Sequence, residues 1–308
     1  MLGKYGITAE TASKMFDTLL GDKKSWMESS IENFKLQMHP GEKLDLVQKR
    51  VLDCIDSLVA WDRLEGRMVL EDGTEERVVS LYTWNEMVIV DAQTRAFFDE
   101  ALYEKSSKIN IERGLKHYLG LPKERRPNDS WLIRLCVKIW TGLVSKKLKK
   151  SMSCSHFIVM NANAYKPIFW IMAHLLLDPD LAEELKQDLH LTNWPMGTRT
   201  VQADTIIGGK KLRRVRKLLM PYRAMYFDDT VFGTDAAGFN PKRFMLNKGL
   251  VTHKSYRPFG GAAHYSPGHY IVRREMQMFT AVTLMRFDMS LVSQEWIIRF
   301  HLVAYKFR

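Results

Sequence analysis

The sequence is short of the residues and patterns that announce the commoner kinds of chemistry. Its 308 residues hold three cysteines, Cys54, Cys136 and Cys154, too widely separated for the paired spacing of a metal site. So few cysteines also exclude a disulfide-framed secreted domain and fit a reduced, intracellular setting. No apolar run reaches the length of a membrane span, and residues 1–20 lack the charged-then-apolar pattern of a signal peptide. There is no Gly-x-x-x-x-Gly-Lys-Ser/Thr loop, no His-Glu-x-x-His and no Gly-x-Ser-x-Gly. Phosphate-loop, zinc-protease and serine-hydrolase chemistry therefore have no support. No internal repeat or low-complexity tract is present.

What is present describes a globular protein. Hydrophobic residues make up 46% of the chain, with eight Trp and fifteen Phe, enough to exclude disorder and to fill one substantial core. The net charge of +11 comes partly from two clusters, Lys146-Lys147-Leu-Lys149-Lys150 and Lys210-Lys211-Leu-Arg213-Arg214-Val-Arg216-Lys217. Either would attract nucleic acid or anionic lipid. No helix-turn-helix, zinc-finger or RNA-binding signature accompanies them, so no nucleic acid is expected as a partner. A solvated charged face is the plainer reading.

Periodicity divides the chain. Residues 7–60 read as helices interrupted at His39-Pro40-Gly41, with Leu44, Val47, Val51, Cys54, Ile55 and Leu58 at helical spacing. Residues 64–78 read as a polar excursion, with Glu71-Asp72-Gly73-Thr74 as a turn. The helical pattern returns from Leu81 to Leu102, where Trp84, Val88, Ile89, Ala92 and Phe97 supply the apolar positions. Pro122 to Ser130 reads as a charged loop. An apolar helix near residues 154–177 must kink or rearrange at Pro167, which brings no amide donor. Gly208-Gly209, between short β-prone runs, predicts a hairpin.

The most specific pattern lies near the C-terminus: Tyr256-Arg-Pro-Phe259-Gly260-Gly-Ala-Ala-His264-Tyr-Ser266-Pro-Gly268-His269, then a helical stretch with Arg273, Arg274 and Glu275. It resembles the haem-binding loop of cytochrome P450s, Phe-Gly-x-Gly-x-x-x-Cys-x-Gly, with Phe259, Gly260, Pro267 and Gly268 in place. Two other stretches support the resemblance in the right order. Asn161-Ala-Asn163-Ala164-Tyr-Lys-Pro167-Ile-Phe-Trp170 is similar to the helix that crosses the distal haem face. Thr198 to Gly209, Met220 to Asp228 and Phe239-Asn-Pro241-Lys-Arg243-Phe244 are similar to the small β-region and the Pro-x-Arg-Phe meander. The Leu121 to Pro127 loop and the Asn163 segment most resemble fungal P450s related to the sterol 7α-hydroxylase and prostacyclin synthase type.

Three departures from that pattern bear on chemistry. Ser266 stands at the position of the iron-ligating cysteine, whose thiolate supplies the electron density that cleaves the O–O bond. Asn163 and Ala164 stand where monooxygenases place an acid and a threonine; an amide and a methyl cannot relay protons to dioxygen. No glutamate in the chain has arginine three positions later, so the family's Glu-x-x-Arg helix has no counterpart. Arg243, which in the family meets that pair, is expected to lose its partners, a costly state for a buried guanidinium.

The resemblance implies a mainly α fold with a small β-region: a single, incomplete P450-like domain over residues 1–308. It would lack the N-terminal anchor and the Glu-x-x-Arg helix, with the distal helix at about 154–177, the β-region at about 198–220 and the haem loop at 256–269. Haem is the implied cofactor, with Ser266 at the axial position, His264 at a propionate position and His269 at the site of a common arginine. Phe259, Gly260 and Gly268 shape the loop. A hydrophobic small molecule is the implied substrate, as in fungal secondary metabolism, and NADPH-P450 reductase the implied partner. The family usually sits at the endoplasmic reticulum membrane, but without an anchor run the cytosol is the expectation here. The chain is expected to be a truncated copy, impaired as an oxygenase. One alternative is a P450-fold protein that binds haem or an apolar ligand with non-oxidative chemistry. The remote one is a basic helical protein that binds nucleic acid.

Overall fold

The computed structural model describes residues 24–106, 111–141, 153–177 without 155, 158 and 162, 197–261 without 239 and 241, 265–293 and 297–302. Helix ends follow local chemistry. α1 (Trp26–Met38) opens on a capping box, in which Ser25 Oγ accepts from the Glu28 amide and the Glu28 carboxylate accepts from the Ser25 amide at 2.9 Å. The break at residues 39–41 is realised. Gly41, at φ 141°, hands the chain to α2 (Glu42–Leu58), and that conformation favours glycine. α2 buries the stripe Leu44, Val47, Val51 and Ile55.

The polar stretch that follows is more ordered than a loop. β1 (Val69–Asp72) and β2 (Glu76–Ser80) form an antiparallel hairpin across the expected turn, closed by the Gly73 amide on the Glu76 carbonyl at 3.0 Å. Residues 70–72 are exposed, so the charged Glu71 and Asp72 read as part of a loop. α3 (Leu81–Phe98), α4 (Glu100–Ser106), α5 (Ile111–Gly120), α6 (Trp131–Thr141) and α7 (Tyr165–Leu177) come next. A strand-rich stretch follows, with β3 (Gly197–Thr200), β4 (Thr205–Ile207), β5 (Lys210–Leu212) and β6 (Lys217–Met220). Three short helices then appear: α8 (Tyr222–Tyr226), α9 (Asp229–Phe232) and α10 (Lys242–Leu246). α11 (His269–Arg286), β7 (Phe287–Ser293) and β8 (Ile297–Leu302) end the described chain.

Two compact units result, residues 1–179 with 267–308 and residues 180–266. In the first, α2, α3, α7 and α11 pack on one another, beside a four-stranded antiparallel sheet ordered β1-β2-β8-β7. Trp84, fully buried, meets Phe279 at 4.8 Å and Phe300 at 4.9 Å between ring centroids. Truncating such a side chain costs about 3–5 kcal/mol, so this cluster anchors the sheet to the helices. Arg286 ties α11 to α2, donating from Nη2 to the Asp56 carboxylate at 2.7 Å and from Nη1 to the Val59 carbonyl at 2.8 Å.

The expected charged loop at 122–130 is mostly exposed, but it turns two charged residues and Ser130 inward. Arg126 and Asp129 are buried and paired at 3.1 Å, and the Tyr118 hydroxyl donates to the same carboxylate. Burial, and then the Asp129 charge, push the Tyr118 phenol well above its ordinary range.

In the second unit β3 pairs with β6 and β4 with β5. The hairpin expected at Gly208-Gly209 forms, both glycines taking the left-handed φ (56° and 75°) of a type I′ turn. Its basic cluster, residues 210–217, is exposed apart from Leu212, as a solvated face requires. A small core of Phe232, Ala236 and Leu250 carries Tyr226, Val231, Phe244 and Tyr256 around it. The mainly helical fold with a small β-region at 198–220 is therefore present. The four-stranded sheet lies outside the region where strands were expected. Among the described residues no helix is long and apolar enough to cross a membrane. The cluster at 146–150 lies outside the described residues.

Candidate functional site

The loop singled out by sequence is closed by its own backbone. The Ser266 amide donates to the Phe259 carbonyl at 2.8 Å, and the Gly260 amide donates to the Arg257 carbonyl at 3.1 Å. Gly260 makes the turn at φ 84°, a conformation that penalises any side chain. The Arg257 guanidinium lies in the space that a Cβ at position 261 would take, and as the end of a flexible side chain it can move aside. The Arg257 amide donates to Tyr226 Oη at 3.2 Å, and the Tyr256 ring packs tilted against Phe244 at 4.8 Å. Phe259 lies edge-on to Tyr265 at 6.2 Å. Phe259, Gly260 and partly buried Ser266 thus share one closed loop.

The end of that motif opens α11. Gly268 is its N-cap, with an ordinary φ of −77°, and the Val272 amide donates to its carbonyl at 3.1 Å. Its backbone makes no demand that only glycine meets, unlike that of Gly260. His269 begins the helix with its ring 3.8 Å from that of Tyr270. His264 lies outside the described residues.

Asn163 and Ala164, expected at the distal position, lie at a helix break. Residues 159–161 are helical, Asn163 and Ala164 are not, and α7 starts at Tyr165. Pro167 is the third residue of α7, where an amide would have no helical acceptor. The predicted rearrangement at this proline is therefore a break placed before it. Buried Asn161 bonds back through Nδ2 to the Phe157 carbonyl at 3.0 Å. Asn163 is exposed and its carbonyl accepts from the Lys166 amide at 3.3 Å, while Ala164 is buried. Neither side chain can deliver a proton.

Arg243 corrects an expectation. It keeps partners without a Glu-x-x-Arg pair, by bonding to the carbonyls of the meander itself. Nε donates to Asn240 at 3.1 Å, Nη1 to Phe232 at 2.8 Å, and Nη2 to Asp235 at 2.8 Å and Gly238 at 3.0 Å. The Asp235 carboxylate adds an ion pair at 3.2 Å. That carboxylate's pKa is lowered, first by the Asn240 amide and then by Arg243.

The cysteines lie elsewhere, Cys54 in α2, Cys136 in α6 and Cys154 ahead of α7. Burial raises the Cys54 thiol and pushes Cys136 up to about 12, so both disfavour thiolate. Among the described residues no cluster of His, Cys, Asp and Glu could hold a metal ion. Sequence reasoning missed the Gln93–Glu275 pair inside the first unit, where Gln93 Nε2 donates to both carboxylate oxygens at 2.9 and 3.1 Å. No local pattern joins two residues 182 positions apart.

A family model for cytochrome P450 matches residues 191–301. The chain is 30% identical over 117 residues to the cytochrome P450 monooxygenase poxD of Penicillium oxalicum, covering 36% of this chain and 24% of that protein. A cytochrome P450 monooxygenase of Gibberella zeae is 24% identical over 183 residues, 45% of this chain and 35% of its own length. The steroid C26-monooxygenase of Mycolicibacterium smegmatis is 30% identical over 88 residues, 29% of this chain and 20% of that protein. The chain thus spans between 20% and 35% of the length of these relatives.

Proposed function

The chain belongs to the cytochrome P450 family, and from that membership we propose that it is a P450 copy impaired as an oxygenase. The family's haem-thiolate monooxygenases need a cysteine thiolate on iron. The observation that carries the proposal is Ser266. The loop keeps its Gly260 turn and its Ser266–Phe259 hydrogen bond, but presents a hydroxyl where the family presents sulfur. A hydroxyl ionises far less readily than a thiol and donates little charge to a metal while neutral. The residues of this loop do not fit a thiolate-bound haem. Asn163 and Ala164 add a second deficit, because neither provides the acid or the hydroxyl that oxygen activation uses.

Family membership makes haem the cofactor, a hydrophobic small molecule the ligand class and NADPH-P450 reductase the electron donor of the intact type. The test is the absorbance of the purified, haem-supplemented chain, reduced under carbon monoxide. A Soret band at the position of serine-, histidine- or water-ligated haem supports the proposal; the thiolate position overturns it. Ser266→Cys is expected to move the band toward the thiolate position without restoring turnover. The missing distal relay alone should hold substrate oxidation about a hundredfold or more below a competent enzyme. Robust oxidation by this single variant with reductase would contradict that account.

A second reading has one observation in its favour. The small β-region carries a shallow, open depression of about 320 Å³ lined by Val201, Ala203, Ile207, Leu212 and Leu218, with Thr200, Gln202 and Thr205, all of them partly or fully exposed. An apolar wall of this kind suits an apolar ligand held without haem. Retention of such a ligand by a preparation with no haem absorbance would favour it.

A further inference from the structure

Inside the first unit, α3 and α11 are joined by Gln93 and Glu275, both essentially removed from solvent. Gln93 Nε2 serves both carboxylate oxygens, and Gln93 Oε1 has no hydrogen-bond partner. The geometry leaves one acceptor short of a donor and one carboxyl short of a countercharge. A single proton on Glu275 resolves both shortages. With a small rotation of the amide, the carboxyl O–H donates to Gln93 Oε1 while Gln93 Nε2 donates to the other oxygen, giving a closed acid–amide pair. Without that proton a charge is buried against one neutral donor, an unfavourable state.

We propose that Glu275 and Gln93 form a proton-operated latch between α3 and α11, closed when Glu275 carries a proton and weakened when it does not. The latch is independent of haem and of the oxygenase reading. Charged groups on the elements packed around α11 have other engagements. On α2, Asp56 pairs with Arg286 at 2.7 Å and Asp53 with Lys49 at 2.6 Å. On α3, Arg95 pairs with Glu100 at 3.6 Å and stacks on Tyr103, while Asp91 takes a hydrogen bond from Tyr103. On α7, His174 lies against Trp170 and Lys166 over Tyr165. Asp288 of β7 and Arg274 of α11 are exposed. Burial pushes the Glu275 carboxyl up to about 7, and the Gln93 hydrogen bond opposes the shift only in part.

The sign follows. A carboxyl whose folded pKa is raised stabilises the fold below its unfolded titration, and that stabilisation is lost as pH rises through the folded one. Between the ordinary value of 4.5 and about 7, one proton is taken up on folding. The folded-to-unfolded ratio therefore falls about tenfold per pH unit from this group.

The test is difference infrared spectroscopy of the full chain, wild type against Glu275→Gln, which restores the closed pair with an amide. Wild type should show a protonated-carboxyl band at pH 6 that disappears by pH 8.5, and E275Q should lack it. A carboxylate already present at pH 6, or the same band in E275Q, would overturn the latch. Gln93→Met removes the amide that accepts the acid proton in the closed pair, so the band should be lost at lower pH in that variant. An unmoved or raised titration there would show that Gln93 does not hold the protonated acid in a closed pair.

Discussion

Val215 occupies the left-handed region at φ 68° with its side chain 71% exposed. A β-branched residue pays about 1–2 kcal/mol for that conformation, and an exposed isopropyl group recovers little by packing. The turn is held instead by backbone bonds, the Val215 amide on the Val201 carbonyl at 2.8 Å and the Val201 amide on the Arg216 carbonyl at 2.9 Å. Val215→Gly should therefore raise stability by about 1 kcal/mol, the relieved strain exceeding the added flexibility of the unfolded chain. A thermal melt that fails to move upward would count against this account. Asp99 shows the contrast. It also has positive φ, 67°, but its carboxylate accepts from the amides of Glu100 at 2.7 Å and Asn128 at 2.8 Å. Glycine there would relieve the backbone and orphan two donors, so no gain is expected.

At the scale of elements, the meander shows how a lost partner is replaced. The Arg243 side chain is 10% exposed, and its fork reaches four carbonyls around α9 and α10, of which the Asp235 carbonyl also accepts from the Gly238 amide at 2.8 Å. Lysine has the charge but not the planar spread of donors. Arg243→Lys should cost about 2–3 kcal/mol by leaving two or more carbonyls unpaired. Hydrogen exchange across residues 228–250 reads it directly: faster exchange is expected there, and unchanged protection would refute the clamp. The Ser266 loop and the long helices were legible in the sequence because their signals are local, a fixed motif in one case and a 3.6-residue period in the other. The partners of Arg243 were not, since backbone carbonyls carry no side-chain signature. The β1–β2 hairpin was hidden by the exposed side chains of β1. Its partner β8 lies more than 200 residues away, paired Val78 to Arg299 and Val79 to Ile298, and such pairing follows from the tertiary fold. Asn163 and Ala164 were placed by pattern near Pro167, yet the break ahead of α7 needed the structure.

For the molecule as a whole, the buried acids decide how stability responds to pH. Burial raises Asp91 and Asp129 to about 6 and Glu275 to about 7, against ordinary values of 3.8 and 4.5. Each raised carboxyl stabilises the fold below its unfolded titration and loses that contribution as pH rises through its folded one. His174 works the other way, because burial lowers its pKa and its contribution is lost as pH falls. The net charge of +11 at neutrality also grows on acidification and strengthens self-repulsion. Above about pH 5 few ordinary carboxyls still titrate, so from there to about pH 7, among the described residues, three raised acids act against one lowered histidine. Folding should take up protons across this window, and the urea midpoint should be higher at pH 5.5 than at pH 8. Calorimetry in buffers of different ionisation enthalpy would register the uptake, and E275Q should remove one proton's share while Asp91 and Asp129 keep theirs. A midpoint that rises with pH would mean that repulsion and His174 outweigh the buried acids, and that these carboxyls are already ionised in the folded chain.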